Sequence, residues 1–159
     1  MIILGIDPGI ARIGYGVIKV FPAKKNFKEK IKFLNCGVVE TDKKIGQSKR
    51  LLILEKEITK LLKQFNPDRA VLEKLFFFKN QKTAIEVSQA IGVIKLAIER
   101  KKIPIIEFTP LQVKMMITGY GQAEKKQVQE MVVKILALKK APKLDDAVDA
   151  LALAISLVD

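Results

Sequence analysis

The sequence predicts one α/β domain with a mixed sheet of five strands flanked by helices. Three strand-like runs come first, and helical and strand-like segments alternate over the rest of the 159-residue chain. Consecutive strands with short connections pair antiparallel, whereas strands separated by a helix join a sheet in parallel through right-handed crossovers. We therefore expect an antiparallel meander extended by a fourth and a fifth strand, all in a single domain, residues 1–159.

The first strand is predicted for residues 2–6, which are almost continuously apolar, as in a strand buried on both faces. It ends at Asp7-Pro8-Gly9, because Pro8 has no amide proton for a sheet ladder and Gly9 tolerates a positive φ. A carboxylate is therefore held at the tip of a rigid element.

The second and third strands are predicted for residues 14–20 and 31–39, joined by a basic turn. Gly14 and Gly16 would weaken the second strand unless another backbone or a ligand passes close to it.

Helices and two short strands make up the remainder. Leucine and isoleucine recur at helical spacing over residues 48–65, and Asn66-Pro67 ends that helix. Thr83 and Glu86 are spaced as a capping box at the start of the next helix. The further predicted elements are strands at 70–73 and 103–108, and helices at 83–100, from Pro110, at 124–138 and at 144–158.

The amino-acid composition limits the binding partners and the catalytic groups that the chain can have. The chain has 29 basic and 17 acidic residues, a net charge of +12, which suggests a polyanionic partner such as nucleic acid. An anionic membrane surface or the ribosome fits the charge alone equally well. One cysteine and no histidine exclude an internal disulfide, zinc sites built on Cys or His, and Ser-His or Cys-His catalysis. Hydrolysis would rest on carboxylates, lysines, hydroxyls or a hard metal ion.

No apolar run reaches the roughly 18 residues of a membrane span, and none is flanked like a signal peptide. We therefore expect a cytoplasmic protein without a membrane partner.

Two carboxylates follow buried strands. Asp7 ends the first predicted strand and Glu73 ends the fourth, and ligands of open α/β sheets bind outside such strand ends. The alternatives are that Asp7 only closes its turn and that Glu73 is an edge residue or a partner of Lys74.

The last helix carries three more acidic residues. Asp145 or Asp146 could cap this helix, but Asp149 lies one turn inside it among Ala, Val, Leu and Ile. A charge in such surroundings needs a partner or a metal. By spacing, either Asp145 or Asp146 shares a helix face with Asp149.

Converging carboxylates repel one another unless a cation lies between them, and sites with only oxygen ligands suit Mg²⁺ or Mn²⁺. In a basic domain such a site is suited to two-metal hydrolysis of a phosphodiester, with two ions per active site.

At this point a family resemblance is apparent. It rests on six segments that occur in the same order through nearly the whole chain: 6–9, 14–17, Glu73 with Phe76 and 79–80, 112–114, 123–125 and 146–152. In these segments the sequence resembles the RuvC-type Holliday junction resolvases. The resemblance implies a ribonuclease H-like fold and metal-dependent cleavage of four-way DNA junctions, in recombination and repair. It also implies association with a junction-migrating helicase.

The resemblance implies particular site residues as well. It selects Asp146 over Asp145, so that the implied catalytic and metal-binding set is Asp7, Glu73, Asp146 and Asp149. The implied DNA contacts are Lys79, Lys114, Lys125 and Phe76, of which Phe76 would stack on an unpaired base at the crossover. Without the resemblance, both Lys114 and Lys125 would be read as solvated lysines.

A homodimer is implied too. Two symmetric nicks require two identical sites at a fixed separation, which a C2 pair provides. The helix at 83–100 is apolar on most sides, so one face remains after the sheet is covered. That face packs either on a second copy or on the helices that follow Lys114 and Glu124.

Three other functions stay open: a ribonuclease H-like nuclease acting on structured RNA, an actin-like phosphotransferase and a non-catalytic junction-binding module. The second needs two domains around a nucleotide, which 159 residues do not hold. The third does not explain Asp149.

Overall fold

A computed structural model describes residues 1–9, 11–22, 30–74 and 81–158. The strands are β1 (Ile2–Asp7), β2 (Arg12–Phe21), β3 (Lys30–Glu40), β4 (Arg69–Glu73) and β5 (Ile105–Phe108). The helices are α1 (Gln47–Phe65), α2 (Gln81–Glu99), α3 (Pro110–Thr118), α4 (Lys125–Ile135) and α5 (Asp145–Ile155). None of these helices is long and apolar enough to cross a membrane.

The five strands form one mixed sheet in the order β3-β2-β1-β4-β5. β1 pairs antiparallel with β2, and β2 pairs antiparallel with β3. β4 lies parallel to β1, and β5 lies parallel to β4. The predicted meander and the two parallel additions are confirmed.

Helices cover both faces of the sheet. The alternating side chains of β1 divide between two cores, with Leu4 and Ile6 facing α1 and α2, and Ile3 facing α3, α4 and α5. A strand buried on both faces has no polar side, which explains the continuous apolar run that precedes Asp7.

Glycines let α5 lie directly on the central strands. A Cβ atom built on Gly14 would stand 1.9 Å from the carbonyl oxygen of Asp146, and one on Gly16 would stand 2.6 Å from the Leu151 nitrogen. Gly5, which pairs with Gly16 across β1 and β2, would clash with the Ala150 oxygen at 2.0 Å. The close neighbour expected at Gly14 and Gly16 is therefore the α5 backbone.

Several predicted boundaries are wrong by a few residues. α2 begins at Gln81, so Thr83 lies inside its first turn and is not its cap. α4 ends at Ile135 and not at 138, because Ala137 takes a left-handed conformation, φ 49°, that reverses the chain. β5 begins at Ile105, and α5 ends at Ile155.

Candidate active site

Asp7 and Glu73 lie at adjacent strand ends. The parallel register pairs Ile6 with Leu72, so the next residue of each strand is a carboxylate. Both side chains project to the face of the sheet that α5 covers, since strand side chains alternate and their predecessors face the other core. Two acidic groups are thus held side by side on rigid elements.

α5 brings the other carboxylates to this point. Its N-cap residue is Leu144, without a side-chain capping bond, so Asp145 and Asp146 lie in the first turn instead of capping the helix. The close contact between Gly14 and the Asp146 backbone lies beside Asp7, because Gly14 is the strand partner of Asp7. Gly5, Gly14 and Gly16 form a surface without side chains, the glycine surface, on which α5 lies. This glycine surface therefore determines how near the aspartates of α5 come to Asp7.

A pocket of about 300 Å³ opens among these elements. Three of the four predicted carboxylates line it, namely Asp7, Glu73 and Asp149, together with Lys114 and Lys125. Its remaining wall is apolar and comes from Pro110, Val113, Val128, Ala152 and Leu153. Asp146 lies next to the pocket and acts on it through its charge.

Burial and mutual repulsion set the protonation of the cluster. Burial raises the pKa of Asp7 to about 7, and the charges of Glu73, Asp149 and Asp146 act in the same direction, while Lys125 lowers it. Burial, followed by the charge of Asp149, raises the pKa of Glu73. The charges of Glu73, Asp149 and Asp146 therefore all act on Asp7, as expected where carboxylates converge.

Lys125 provides a cation within the cluster. Its Nζ lies 2.9 Å from Asp149 Oδ2 and 3.5 Å from Asp145 Oδ2. Burial lowers the pKa of the Lys125 ammonium, but the hydrogen bond and charge of Asp149 offset this effect and raise the pKa overall. Burial raises the pKa of Asp149 despite this lysine. The partner that Asp149 requires inside an apolar helix is therefore Lys125.

Arg12 is a neighbour of the site that the sequence reasoning missed. Its Nε lies 3.7 Å from Asp146 Oδ2. The only signal in the sequence was its place in the hairpin that follows Asp7, and pairing with Asp146 depends on where α5 lies. Asp145, left aside in favour of Asp146, accepts a hydrogen bond from Gln129 Nε2 at 3.1 Å in addition to its contact with Lys125.

The donor set has the chemistry of a Mg²⁺ or Mn²⁺ site, since its ligands are carboxylate oxygens whose charges repel one another. As the side chains stand, no three acidic or cysteine residues of the described ranges are arranged to hold one ion. Two of the four carboxylates instead have cationic side chains beside them, Lys125 at Asp149 and Arg12 at Asp146.

Comparison with known proteins identifies the family. The model of the family "Crossover junction endodeoxyribonuclease RuvC" matches residues 3–157. The chain belongs to the RuvC family. The RuvC of Clostridioides difficile is 51% identical over 155 residues, which cover 98% of this chain and 88% of that protein. The RuvC of Thermosipho melanesiensis is 49% identical over 154 residues, 97% of this chain and 94% of that protein.

Solved RuvC structures agree with the fold. Thermus thermophilus RuvC is 33% identical and superimposes with a TM-score of 0.88, covering 98% of this chain and 92% of that one. The same protein in complex with a Holliday junction substrate matches equally well. The predicted ribonuclease H-like fold and the resemblance to RuvC-type resolvases are confirmed.

For this RuvC family member, the structure brings together most of the predicted site. Asp7, Glu73 and Asp149 share one pocket with both predicted lysines, Lys114 and Lys125. The two remaining predicted DNA contacts, Phe76 and Lys79, lie outside the described residues. Within the described residues Lys74 has no carboxylate within 4.0 Å, so the alternative reading of Glu73 as its partner is wrong.

Proposed function

We propose that this protein is a metal-dependent endonuclease that resolves four-way DNA junctions by paired symmetric nicks. The observation that carries the proposal is the pocket that joins carboxylates from β1, β4 and α5 to Lys114 and Lys125. Membership of the RuvC family, and the solved complex of the Thermus thermophilus relative with a Holliday junction, name the substrate.

In the proposed reaction, Asp7, Glu73, Asp146 and Asp149 hold divalent metal ions, which we take to be two Mg²⁺ per site, with Mn²⁺ accepted. When bound, such ions activate water and stabilise the leaving oxygen of a phosphodiester. The chain itself contributes rigidity, because Asp7 and Glu73 project from neighbouring strands and Asp146 and Asp149 from a helix packed against glycine.

Lys114 and Lys125 are proposed to contact phosphates of the DNA strand that is cut. Lys114 lies on α3 and Lys125 on α4, and both line the carboxylate pocket. An ammonium at such a position attracts a phosphate without reading its base. For Phe76 and Lys79 the proposal rests on the family resemblance, with Phe76 stacking on an unpaired base.

The proposed active form is a homodimer that pairs through α2. Ile94 of this helix is fully buried in the core between α1, α2 and the sheet, and Ile91 is only 9% exposed, so neither residue offers a free surface. The exposed side of α2 carries Ile85, 65% exposed, and Leu96, 52% exposed, with Gly92 between them and the polar Ser88 and Gln89 on the same side. A Cβ on Gly92 would meet nothing within 4 Å, so the helix has room there for a second backbone.

The alternative expectation, that the helices after Lys114 and Glu124 cover this face of α2 within one chain, does not agree with the fold. α3 and α4 pack in the core on the other side of the sheet from α2. Light scattering should therefore give a dimer mass for the unmodified protein and a monomer mass for Leu96→Lys, with Lys49→Gln as a surface control. A monomer mass for the wild type, alone and with junction DNA, would contradict the proposed dimer.

A cleavage assay tests the proposed function directly. The protein is incubated with a mobile four-way junction, plain duplex or structured RNA, each with Mg²⁺, Ca²⁺ or no metal. We expect paired nicks in the junction with Mg²⁺, binding with little cutting in Ca²⁺, and no cutting of RNA. Preferential cleavage of RNA would support the alternative function, and equal rates in Ca²⁺ would contradict the metal mechanism. We also propose that the protein acts in the cytoplasm together with a junction-migrating helicase.

A further inference from the structure

A second basic surface lies on α4, beyond the carboxylate pocket. It is a groove of about 840 Å³ lined by the outer side of α4, by Thr118 at the end of α3 and by residues 139–141. Its charged lining consists of four lysines and one glutamate: Lys126, Lys134, Lys139, Lys140 and Glu130. We call this surface the α4 groove. None of the residues predicted to catalyse cleavage or contact DNA belongs to it.

The local structure explains why the lysines gather there. Val128 and Val132 bury one side of α4 in the core, so Lys126, Glu130 and Lys134 repeat every four residues along the opposite side. After α4 the chain turns back through Ala137, whose φ of 49° is costly for a residue other than glycine. This turn places Lys139 and Lys140 beside the helix.

In the part of the chain that the structure describes, the lysines of the groove form no ion pair. All four are exposed, and among the described residues none has a carboxylate within 4.0 Å. Lys125, the residue just before the groove, has two such carboxylates, Asp145 and Asp149. Four like charges around one concave surface repel one another, and a polyanion removes that repulsion.

The groove begins beside the proposed active site, at the N-terminal end of α4. Lys125 lines the carboxylate pocket, and Lys126, the next residue of α4, lines the groove. α4 extends about 16 Å over its eleven residues, roughly five base-pair steps of one strand. A nucleic acid that runs from the pocket along α4 would meet the lysines of the groove.

We propose that the α4 groove binds the phosphate backbone of the DNA arm next to the cleaved strand. This inference rests on the proposed function and adds a second site of contact to it. Lysine ammoniums on a helix contact phosphates as point charges, so the groove positions the arm and reads no sequence. In this proposal the groove contributes to the affinity for the junction, whereas the carboxylate pocket cleaves the phosphodiester bond.

The test compares two variants that each lose four positive charges. In one, Lys126, Lys134, Lys139 and Lys140 become Gln. In the control, Lys49, Lys56, Lys63 and Lys101 become Gln; these exposed lysines lie on or next to the helix layer that covers the other face of the sheet. Junction affinity is measured without metal over a range of salt concentrations, and single-turnover cleavage is measured at saturating protein with Mg²⁺.

We expect the slope of log affinity against log salt to fall by about one for each groove lysine that is removed. The control set should change the slope by less than one in total, and both variants should cleave at the wild-type rate when saturated. Equal losses of affinity in the two variants would overturn the proposal, since net charge alone would then explain them. Junction binding that does not depend on salt would overturn it as well.

Two further measurements keep the outcome clear. Circular dichroism and melting temperature check that the variants are folded, and the pairs Lys126→Gln/Lys134→Gln and Lys139→Gln/Lys140→Gln should each show about half of the effect. If wild-type protein binds junctions through the groove but cuts none with Mg²⁺, the proposed function fails while the groove remains. If wild-type protein cuts junctions and the groove variant matches the control, only the groove proposal fails.

Discussion

Lys125 donates to Asp149: its Nζ lies 2.9 Å from Asp149 Oδ2, at the wall of the carboxylate pocket. The same ammonium lowers the pKa of Asp7, so it compensates charge for more than one acidic group. We infer that Lys125 competes with divalent metal ions for this cluster when no DNA is bound.

Replacing Lys125 by Met should therefore tighten metal binding. The side chains are 53% and 33% exposed, and such pairs are worth ~0.2–1 kcal/mol, so the Mn²⁺ affinity should rise by a factor of about 1.4 to 5. Isothermal titration calorimetry in the absence of DNA measures it. Lys114→Met is the matched control, because Lys114 lines the same pocket without a carboxylate within 4.0 Å in the described chain. The same gain in both variants would contradict direct competition.

Asp7→Asn and Asp149→Asn should abolish cleavage and preserve binding. Each substitution removes one ligand charge and keeps the shape, while phosphate contacts by lysines carry the affinity. Charge stabilisation by a metal ion is worth several kcal/mol, so junction cleavage should fall about 100-fold or more. Binding in a gel-shift assay should be equal or slightly tighter.

Glu99→Gln is the control for these variants, since Glu99 is exposed at the end of α2. It should cut and bind like the wild type. Near-normal cleavage by either aspartate variant would mean that the catalytic set is wrongly assigned.

The metal-free protein should lose stability as the pH rises from about 4 to 7. The folded-state pKa of Asp7, about 7, is higher than its ordinary value of 3.8, so the folded state binds more protons over that interval. Stability is then greatest at low pH and falls by up to about 1.4 kcal/mol per pH unit, with the full cost present above pH 7. The raised pKa values of Glu73 and Asp149 act with the same sign.

Urea unfolding at pH 5, 6, 7 and 8 in metal-free buffer measures this dependence. Asp7→Asn should flatten it, because the amide does not titrate, whereas Glu99→Gln should leave it unchanged. Added Mn²⁺ should restore stability at pH 8. A wild-type protein whose stability rises from pH 5 to pH 7 would refute the raised pKa.

Gly16→Ala should move α5 away from the sheet. The new Cβ would lie 2.6 Å from the Leu151 nitrogen and 2.8 Å from its Cα, and backbone atoms cannot turn aside. Such overpacking costs ~1–3 kcal/mol in unfolding free energy. Junction cleavage should also fall, because Asp149 moves with the helix.

Gly46→Ala is the matched control for this substitution. Gly46 caps α1 with φ −61° and ψ 149°, and a Cβ there meets nothing within 4 Å. Ala is a poorer N-cap than Gly by up to about 1 kcal/mol. The lower entropy of the unfolded chain offsets about 0.4–1 kcal/mol of this, so the net cost should be small. Equal stability of the two variants in urea would show that α5 does not need the glycine surface.

The sequence by itself was sufficient for the order of elements and for the carboxylates at strand ends. Pro8, the residue after β1, has no amide proton to continue the ladder, so the strand has to end near Asp7 whatever surrounds it. The apolar run before Glu73 likewise ends at a charge, as β4 does. Such signals are local, because they depend on covalent chemistry and on neighbours along the chain.

Only the tertiary structure showed which side chains pair with one another and which helix faces stay exposed. A helix that is apolar on most sides has no preferred face in its pattern, so only packing revealed that Ile94 is buried and Leu96 exposed. The glycines of β2 indicated a close neighbour without saying which, and α5 proved to be that neighbour. The pairing of Lys125 with Asp149 joins two helices whose relative position is set by packing on the sheet. Contacts of this kind depend on how the helix and sheet layers pack in three dimensions. The spacing of residues along the chain does not give the distance between side chains on different layers.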